Sequence, residues 1–263
     1  MSRFFTWNEE AEDPGFFSAL EELPSSFRSF ARPAEVPIDW HKTEDQGPIG
    51  SCTGNGLASV LERLAHVRGV KVQLSRIFAF LATQKRDGWL GNSRVGSTVS
   101  RACSLAIEDG CPPEELTGYP SQYPSKSQIK RILSPENYAA GAPFKAVSKW
   151  RVSRDDHDET LNFLGGGGGI LFGIAWRRGM IPHDRIIRQF RPGNSKSGHA
   201  MCVLGYDRDG NPRAANSHRD GPYTITVEAW QQMLRHRRTS AVGLLGNSTP
   251  EPVDWIKNSP HFD

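Results

Sequence analysis

The chain has 263 residues, enough to bury the core of one large domain or of two closely packed lobes. With 37% hydrophobic residues, 23% charged residues and a net charge of +3, its composition is ordinary for a globular protein and argues against a nucleic-acid partner. No apolar run approaches the roughly 18 to 20 residues that cross a bilayer, and the first ten residues lack the apolar centre of a secretory signal.

These absences lead us to expect no membrane partner and a cytoplasmic location, with export by a dedicated secretion system left open. Residues 1–36 combine acidic residues, phenylalanines and prolines, and Pro24 and Pro33 interrupt any long helix. We predict that they form an N-terminal arm or short pro-segment that packs on the body of the protein. The body is expected to begin at Pro37 and to span residues 37–263.

The first part of the body has the spacing of amphipathic helices. Apolar side chains recur every three or four residues, and glycine or proline follows where the pattern stops. The predicted helices cover Asn55–Val67, Leu74–Gln84, Ser97–Asp109 and Ser127–Leu133. Ser75 is a suitable N-cap for the second of them.

The second part of the body is rich in short apolar or β-branched runs bounded by turn residues, which predict strands. These runs are Phe144–Val152, Ile170–Trp176, His199–Tyr206, Arg213–Asn216 and Tyr223–Val227. Asp-Gly-Asn-Pro at 209–212 predicts a hairpin, and the five glycines Gly165–Gly169 predict a flexible turn before a buried strand. Helices followed by strands predict an α+β fold, with a helical lobe at about 37–140, a β lobe at about 141–263 and a cleft between them.

Cys52 is the strongest candidate for a reactive side chain. A glycine-rich loop delivers this cysteine to the start of the first predicted helix, where the helix dipole favours the thiolate form. Gln46, six residues earlier, can donate a side-chain N–H to an oxyanion that forms beside the sulfur. The segment therefore predicts a cysteine nucleophile.

A cysteine nucleophile needs a base within hydrogen-bond reach and a further group that orients the base. His199 opens a predicted buried strand, and Asn216 lies at the end of the next strand, after the hairpin. Neighbouring antiparallel strands would bring the two side chains together, so that the Asn216 amide oxygen accepts a hydrogen bond from the His199 ring.

The remaining cysteines, Cys103, Cys111 and Cys202, are sparsely placed and suit reduced thiols in a reducing compartment. No pair has Cys-x-x-Cys spacing, and no histidine–cysteine cluster has the spacing of a zinc site. We therefore expect no metal and no other cofactor.

Three segments of the sequence, in this order, resemble those of the papain-like cysteine peptidases, and Cys52 followed by threonine is similar to the bacterial branch. The segments are Asp45-Gln46-Gly47 with Gly50-Ser51-Cys52, Gly198-His199-Ala200 with Val203, Gly205 and Tyr206, and Asn216-Ser217. Pro37–Trp40 also resembles the start of the mature enzymes. The resemblance covers about residues 36–230 and implies the papain-like fold of two lobes with the active site in the cleft.

The resemblance implies catalytic roles for four residues. Cys52 would be the nucleophile, His199 the base and then the acid, and Asn216 the group that orients the imidazole. Gln46 and the backbone N–H of Cys52 would form the oxyanion hole. The implied reaction is hydrolysis of a peptide bond through a thioester acyl-enzyme.

The resemblance also implies contacts with the substrate. Gly96 and Ser97 would line the substrate strand, while Gly173 and Ala200 would face the pocket for the second residue before the cut. The small size of the last two residues would leave room for a bulky apolar side chain. The implied partner is a peptide or protein substrate, with a protein inhibitor or the arm as alternative occupants of the cleft.

One position departs from the family pattern, because His218 stands where the family has a tryptophan that shields the Asn–His bond from water. An imidazole is expected to stack less and to shield this bond less well. Two other interpretations stay open: an acyl-transfer or amide-cleaving effector such as a transglutaminase or deamidase, and a degenerate papain-like binding module. The oligomeric state is not predicted.

Overall fold

The computed structural model describes residues 12–23, 27, 31–177, 180–193, 198–218 and 221–246. In this part of the chain the helices are α1 (Pro14–Ser18), α2 (Cys52–Val67), α3 (Arg76–Arg86), α4 (Val99–Glu108), α5 (Lys126–Ile132), α6 (Pro135–Gly141), α7 (His157–Gly165) and α8 (Val227–Arg235). The strands are β1 (Ser148–Arg151), β2 (Gly169–Ile174), β3 (Ile186–Ile187), β4 (His199–Tyr206), β5 (Pro212–Ala215), β6 (Tyr223–Ile225) and β7 (Thr239–Leu245). The mixed α+β fold predicted from the sequence is confirmed.

The strands form a single sheet in the order β1-β7-β2-β4-β5-β6-β3. All neighbouring pairs are antiparallel except β3 and β6. Strand β7, which lies between β1 and β2, was not predicted, because its alanine, serine and glycine carry little strand propensity. Strand β1 begins at Ser148, so Phe144 belongs to the preceding loop rather than to the strand.

Strand β4 separates two hydrophobic cores. Its side chains alternate between the two faces of the sheet, as a strand requires. Ala200 and Cys202 belong to the core that helices α2, α3 and α4 share with the sheet. Met201 and Val203 belong to the core on the opposite face, together with residues of α7 and α8. Every residue of β4 is therefore buried, and the position of its first residue is tightly determined.

Helix α2 packs closely against its neighbours because glycines lie on its faces. A Cβ at Gly54 would lie 2.6 Å from the backbone nitrogen of Phe80 in α3. A Cβ at Gly56 would lie 2.8 Å from the Leu171 side chain of β2. Glycine inside a helix costs about 0.5–1 kcal/mol relative to alanine, and this close packing offsets that cost.

The glycine tract Gly165–Gly169 is a buried, closely packed turn rather than a flexible one. The buried Arg63 guanidinium of α2 donates hydrogen bonds from Nε to the Gly168 carbonyl oxygen and from Nη2 to that of Leu164, each at 2.6 Å. A Cβ at Gly168 would overlap the ring of Phe163. The glycines are thus needed for close approach, which the repeat of glycine letters alone does not reveal.

The described part of the arm contacts both the sheet and the helices of the body. Residues 1–11 and Pro24 lie outside the described residues. Val36 and Tyr206 exchange two backbone hydrogen bonds of 2.8 and 3.1 Å. Further towards the N-terminus, Glu21 forms a parallel bridge with Trp150 of β1. The arm therefore continues the edge of the sheet beyond β1.

The arm ends, in the described residues, at the N-terminus of α4. The Glu12 carboxylate accepts the backbone N–H groups of Val99 and Ser100 at 2.6 and 2.9 Å. A carboxylate at this place satisfies helix N–H groups and interacts favourably with the helix dipole. Among the described residues, no helix has the length and apolar character needed to cross a membrane.

A buried carboxyl, that of Glu62, lies in the second half of α2. Oε1 of Glu62 accepts the Leu74 N–H at 2.8 Å, and Oε2 lies 3.8 Å from Nε2 of His41. Burial raises the pKa of Glu62 to about 8 and lowers the pKa of His41 to about 4. Both groups are neutral around pH 6, so their contact is not an ion pair at that pH.

We expect Glu62→Gln to stabilise the protein increasingly as the pH rises from 5 to 8. In the folded protein the Glu62 carboxyl keeps its proton up to about pH 8, whereas in the unfolded chain the same carboxyl ionises near pH 4.5. The wild-type protein therefore loses free energy of unfolding as the pH rises through this window. Glutamine keeps an oxygen for Leu74 without ionising. Urea unfolding at three pH values should give a gain of about 1–3 kcal/mol at pH 8 and almost none at pH 5.

The exposed Glu115 provides the matched control, since Glu115→Gln removes a carboxyl that stays in water. Its effect on the free energy of unfolding should not change with pH. A gain from Glu62→Gln that is equal at pH 5 and pH 8 would contradict the assignment of a neutral buried carboxyl.

Candidate active site

Helix α2 and strand β4 run side by side in the same direction. A Cβ at Gly56 would lie 3.5 Å from the carbonyl oxygen of Met201, so these two positions are in contact. One turn further, Val60 packs on Gly169 at the start of β2, where a Cβ would lie 3.1 Å from Val60 Cγ1. Because β2 is antiparallel to β4, Gly169 lies beside the far end of β4.

These two contacts determine which residues lie beside each other at the N-terminal ends of α2 and β4. One turn back along α2 from Gly56 is Cys52, about 6 Å away along the helix axis. Two residues back along β4 from Met201 is His199, about 7 Å away along the strand. The two elements therefore bring Cys52 and His199 to the same level, and both side chains are fully buried.

His199 is held by a hydrogen bond to the neighbouring strand segment. Its Nε2 lies 2.7 Å from Oδ1 of Asn216, which directly follows β5. Oδ1 also accepts the backbone N–H of Ser217 at 2.8 Å, and the amide nitrogen of Asn216 donates to the Tyr223 hydroxyl at 3.4 Å. Because both the oxygen and the nitrogen of its side-chain amide are hydrogen-bonded, Asn216 offers His199 a fixed acceptor. This acceptor keeps the proton on Nε2 of His199 and leaves Nδ1 on the side of the ring that faces away from Asn216.

Two aromatic side chains contact the His199 ring. His218 stacks on it with ring centroids 4.6 Å apart and planes inclined by 20°. Trp176, just after β2, meets it edge-on at 4.8 Å. His218 is 5% exposed and Trp176 is 6% exposed, so the Asn–His bond is well covered. His218 therefore does stack on and cover this bond, while the expectation that it does so less well than a tryptophan stays a prediction.

Gln46 is buried, and hydrogen bonds hold both its backbone and its side-chain amide. Its backbone N–H donates to the Ser217 carbonyl at 2.8 Å, and the Ser217 hydroxyl donates to its Oε1 at 2.6 Å. Its Nε2 donates one hydrogen bond to the Ile49 carbonyl at 2.9 Å. A side-chain amide has two N–H groups, so this arrangement orients the second one without using it.

The loop before Cys52 is braced by Tyr119, a residue that the sequence analysis missed. The Tyr119 hydroxyl donates to the Gln46 carbonyl at 3.0 Å and lies 2.6 Å from the Ser51 hydroxyl. The side chain of Asn55 donates in turn to the Ser51 carbonyl at 2.9 Å. No local pattern marks Tyr119, because it lies in a loop far along the chain from the residues it holds.

For the peptide hydrolysis that the sequence resemblance implies, we expect Tyr119→Phe to lower kcat about tenfold with little change in KM, since small displacements of reacting groups are costly. The loss in stability should be about 1 kcal/mol, as for one buried hydrogen bond. Steady-state kinetics and thermal unfolding would measure the two effects.

Tyr206→Phe is the control for Tyr119→Phe, because the Tyr206 hydroxyl also donates to a backbone carbonyl, that of Pro33, but at the other end of β4. It should lose similar stability and retain full kcat. Equal kcat values for Tyr119→Phe and the wild-type protein would show that the brace is purely structural.

The predicted substrate-contact residues lie in two groups. Gly173 and Ala200 are direct partners across β2 and β4, one residue from His199. Ser97 lies on the other side of Cys52, where its carbonyl accepts the Thr53 hydroxyl at 3.2 Å. The preceding residue, Gly96, is buried with it just before α4. The predicted residues thus lie near Cys52 on the helical side and near His199 on the sheet side.

None of the four cysteines forms a disulfide. Burial raises the pKa of the Cys202 thiol to about 12 and that of the Cys103 and Cys111 thiols well above its usual range. These three thiols therefore stay protonated and unreactive at neutral pH. No group of three or more metal-ligating side chains was found among the described residues.

Neither a protein-family model nor a curated protein matches the chain. Solved structures do match: xylellain, a cysteine protease from Xylella fastidiosa, has a TM-score of 0.73 and 19% identity, over 94% of this chain and 98% of that chain. Digestive procathepsin L 3 from Tenebrio molitor has a TM-score of 0.62 and 16% identity, over 86% of this chain and 74% of that chain. The Carica candamarcensis cysteine protease CMS1MS2 has a TM-score of 0.59 and 18% identity, over 82% of this chain and 99% of that chain. At these identities the similarity is one of fold.

Proposed function

From the papain-like fold that this chain shares with those cysteine proteases, we propose that it is a cysteine peptidase that hydrolyses peptide bonds through Cys52, His199 and Asn216. The observation that carries this proposal is the buried His199–Asn216 hydrogen bond of 2.7 Å at the start of β4, level with the first residue of α2. A cysteine at a helix start beside an oriented imidazole is the arrangement that thiol nucleophiles require.

In the first half of the reaction, the Cys52 thiolate attacks the peptide carbonyl carbon and forms a tetrahedral intermediate. The second N–H of the Gln46 amide and the backbone N–H of Cys52 stabilise its negative oxygen. His199 then gives its proton to the leaving amine, the C–N bond breaks, and a thioester remains on the sulfur.

In the second half, a water molecule gives a proton to His199 and adds to the thioester carbonyl. Collapse of the new tetrahedral intermediate releases the carboxylic acid and returns the sulfur as thiolate beside the imidazolium. Asn216 keeps the ring in one orientation through both halves by accepting the Nε2–H. No other group has to supply electrons or a metal charge in this scheme.

The substrate residue two before the cut is proposed to lie over Gly173 and Ala200. Neither residue has a large side chain, and Ser240 of β7 pairs with Gly173 across the sheet, so three small residues stand in a row. Gly96 and Ser97 would pair with the extended substrate on the helical side. This arrangement suits a bulky apolar side chain in the pocket.

The arm is proposed to restrict access to the cleft. Cys52 and His199 have no exposed surface, and Glu12 of the arm binds the N-terminus of α4 immediately after Ser97. Movement of the arm would then precede substrate binding. Glu12→Ala should accordingly raise the rate of peptide cleavage, whereas an unchanged rate would leave the arm as a brace of the fold alone.

The reaction itself can be tested with casein, a primary amine and mass spectrometry. We expect cleavage of peptide bonds. Iodoacetamide should modify Cys52 and none of the other three cysteines, and this modification should abolish the cleavage. Addition of the amine without cleavage would identify an acyl transferase, and conversion of glutamine to glutamate a deamidase. Absence of both reaction and labelling would identify a binding module.

A further inference from the structure

His218 lies face to face with His199, with 4.6 Å between the ring centroids. Both rings are buried: His199 has no exposed surface and His218 is 5% exposed. A second titratable ring therefore lies in the interior directly against the imidazole that the proposed reaction uses. A tryptophan in this place could shield His199 but could never become charged.

Two imidazolium rings at this separation repel each other strongly. For an effective dielectric constant of about 20, the repulsion of two unit charges 4.6 Å apart corresponds to roughly two and a half pKa units. Protonation of both rings at the same time is therefore disfavoured. The hydrogen bond from His199 Nε2 to Asn216 favours a positive charge on His199, because the N–H of an imidazolium is a stronger donor than that of a neutral ring.

In the described part of the chain, the elements beside His218 bring a carboxylate and the imidazole of His199. The segment before α2 pairs with it through a backbone bridge at Asp45, whose carboxylate accepts the Gly47 N–H at 2.9 Å. This carboxylate favours a charged His218 and so acts against the repulsion. From β4 the facing group is His199, and Trp176 after β2 is neutral. Repulsion from a charged His199 therefore acts on His218 against the attraction of the Asp45 carboxylate.

We propose that His218 is a positioning residue that holds the His199 ring while neutral and competes with it for a proton in acid. The catalytic consequence rests on the proposed function. When His218 gains a proton, the repulsion drives the His199 proton onto the Cys52 sulfur, so that the thiolate becomes a thiol and no longer acts as a nucleophile. The stacked pair thereby sets the pH below which the site is inactive.

The test compares the wild-type protein with His218→Trp and His218→Phe. Alkylation of Cys52 by iodoacetamide is followed from about pH 4 to 8, and the histidine rings of the wild-type protein are titrated by NMR. Both variants should shift the acid limb down by about one pH unit, which makes alkylation about tenfold faster on that limb. In the wild-type protein, the His218 ring should titrate below the usual value of about 6.5.

His157→Gln is the matched control, since its ring contacts the Gly210 carbonyl beyond the far end of β4 and its loss should leave the profile unchanged. All variants keep the same arm, so differences between their pH profiles of alkylation reflect the side chain at position 218. A His218→Trp profile that superimposes on the wild-type profile, or a His218 ring that titrates at or above 6.5, would overturn the proposal. Failure of the wild-type protein to cleave peptides would instead refute the proposed function, because alkylation does not require cleavage.

Discussion

Replacement of Cys52 by alanine is expected to lower kcat/KM for peptide cleavage by about 10⁴-fold or more, the size of effect found when a nucleophile is removed from a triad. Without the sulfur, no thioester forms, and only binding and the oxyanion donors remain. The fold should be retained, because alanine fills most of the same buried space at the start of α2. Cleavage of a fluorogenic peptide and circular dichroism would measure both properties.

Cys202→Ala is the control for this experiment. Cys202 is equally buried, lies on β4 three residues after His199, and has a thiol pKa that burial raises to about 12. Its loss should cost some stability through a small cavity but leave kcat/KM within about threefold of the wild-type value. If Cys52→Ala cleaves as fast as Cys202→Ala, the sulfur at position 52 takes no part in the reaction.

Arg63→Met is expected to lower the free energy of unfolding by about 2–4 kcal/mol. The guanidinium supplies the hydrogen bonds to the carbonyls of Gly168 and Leu164, and each buried acceptor that loses its donor costs about 1–3 kcal/mol. Removal of a buried charge offsets part of this loss, since burial already lowers the Arg63 pKa to about 9. Urea unfolding would measure the difference.

Arg63→Lys distinguishes the hydrogen bonds from the charge. Lysine keeps a cation of similar length, but its single ammonium group cannot reproduce the fork that binds two carbonyls at once. We expect a loss of stability between those of the wild-type protein and Arg63→Met. Arg63→Met with wild-type stability would mean that the glycine turn is held by packing against Phe163 and Phe27 alone.

The residues of the proposed site were predictable because each stands at the boundary of a locally encoded element. Helical spacing begins just after Cys52, an unbroken apolar run begins at His199, and a short strand after a hairpin ends before Asn216. The hairpin makes the last two strands neighbours, which is why the His199–Asn216 contact could be predicted. The roles of these side chains in catalysis remain predictions.

Other features could not be predicted because they depend on residues far apart in the chain. Strand β7 has weak propensity and is a strand because β1 and β2 pair with it on both sides. The brace from Tyr119 to Gln46 joins residues 73 positions apart. Helix α7 is a different case, since Asp156 at its N-cap is a readable signal that the analysis overlooked.

From the order of amino acids alone follow the α+β class, the candidate nucleophile and the histidine–asparagine pair, since periodicity, caps and a hairpin are properties of neighbouring residues. The folded chain adds what depends on distant contacts. It shows that Arg63 binds the glycine turn, that the arm reaches α4, and that the imidazole of His218 covers His199. Burial and stacking of these groups arise only when the sheet and α2 meet, because only then is water excluded from them.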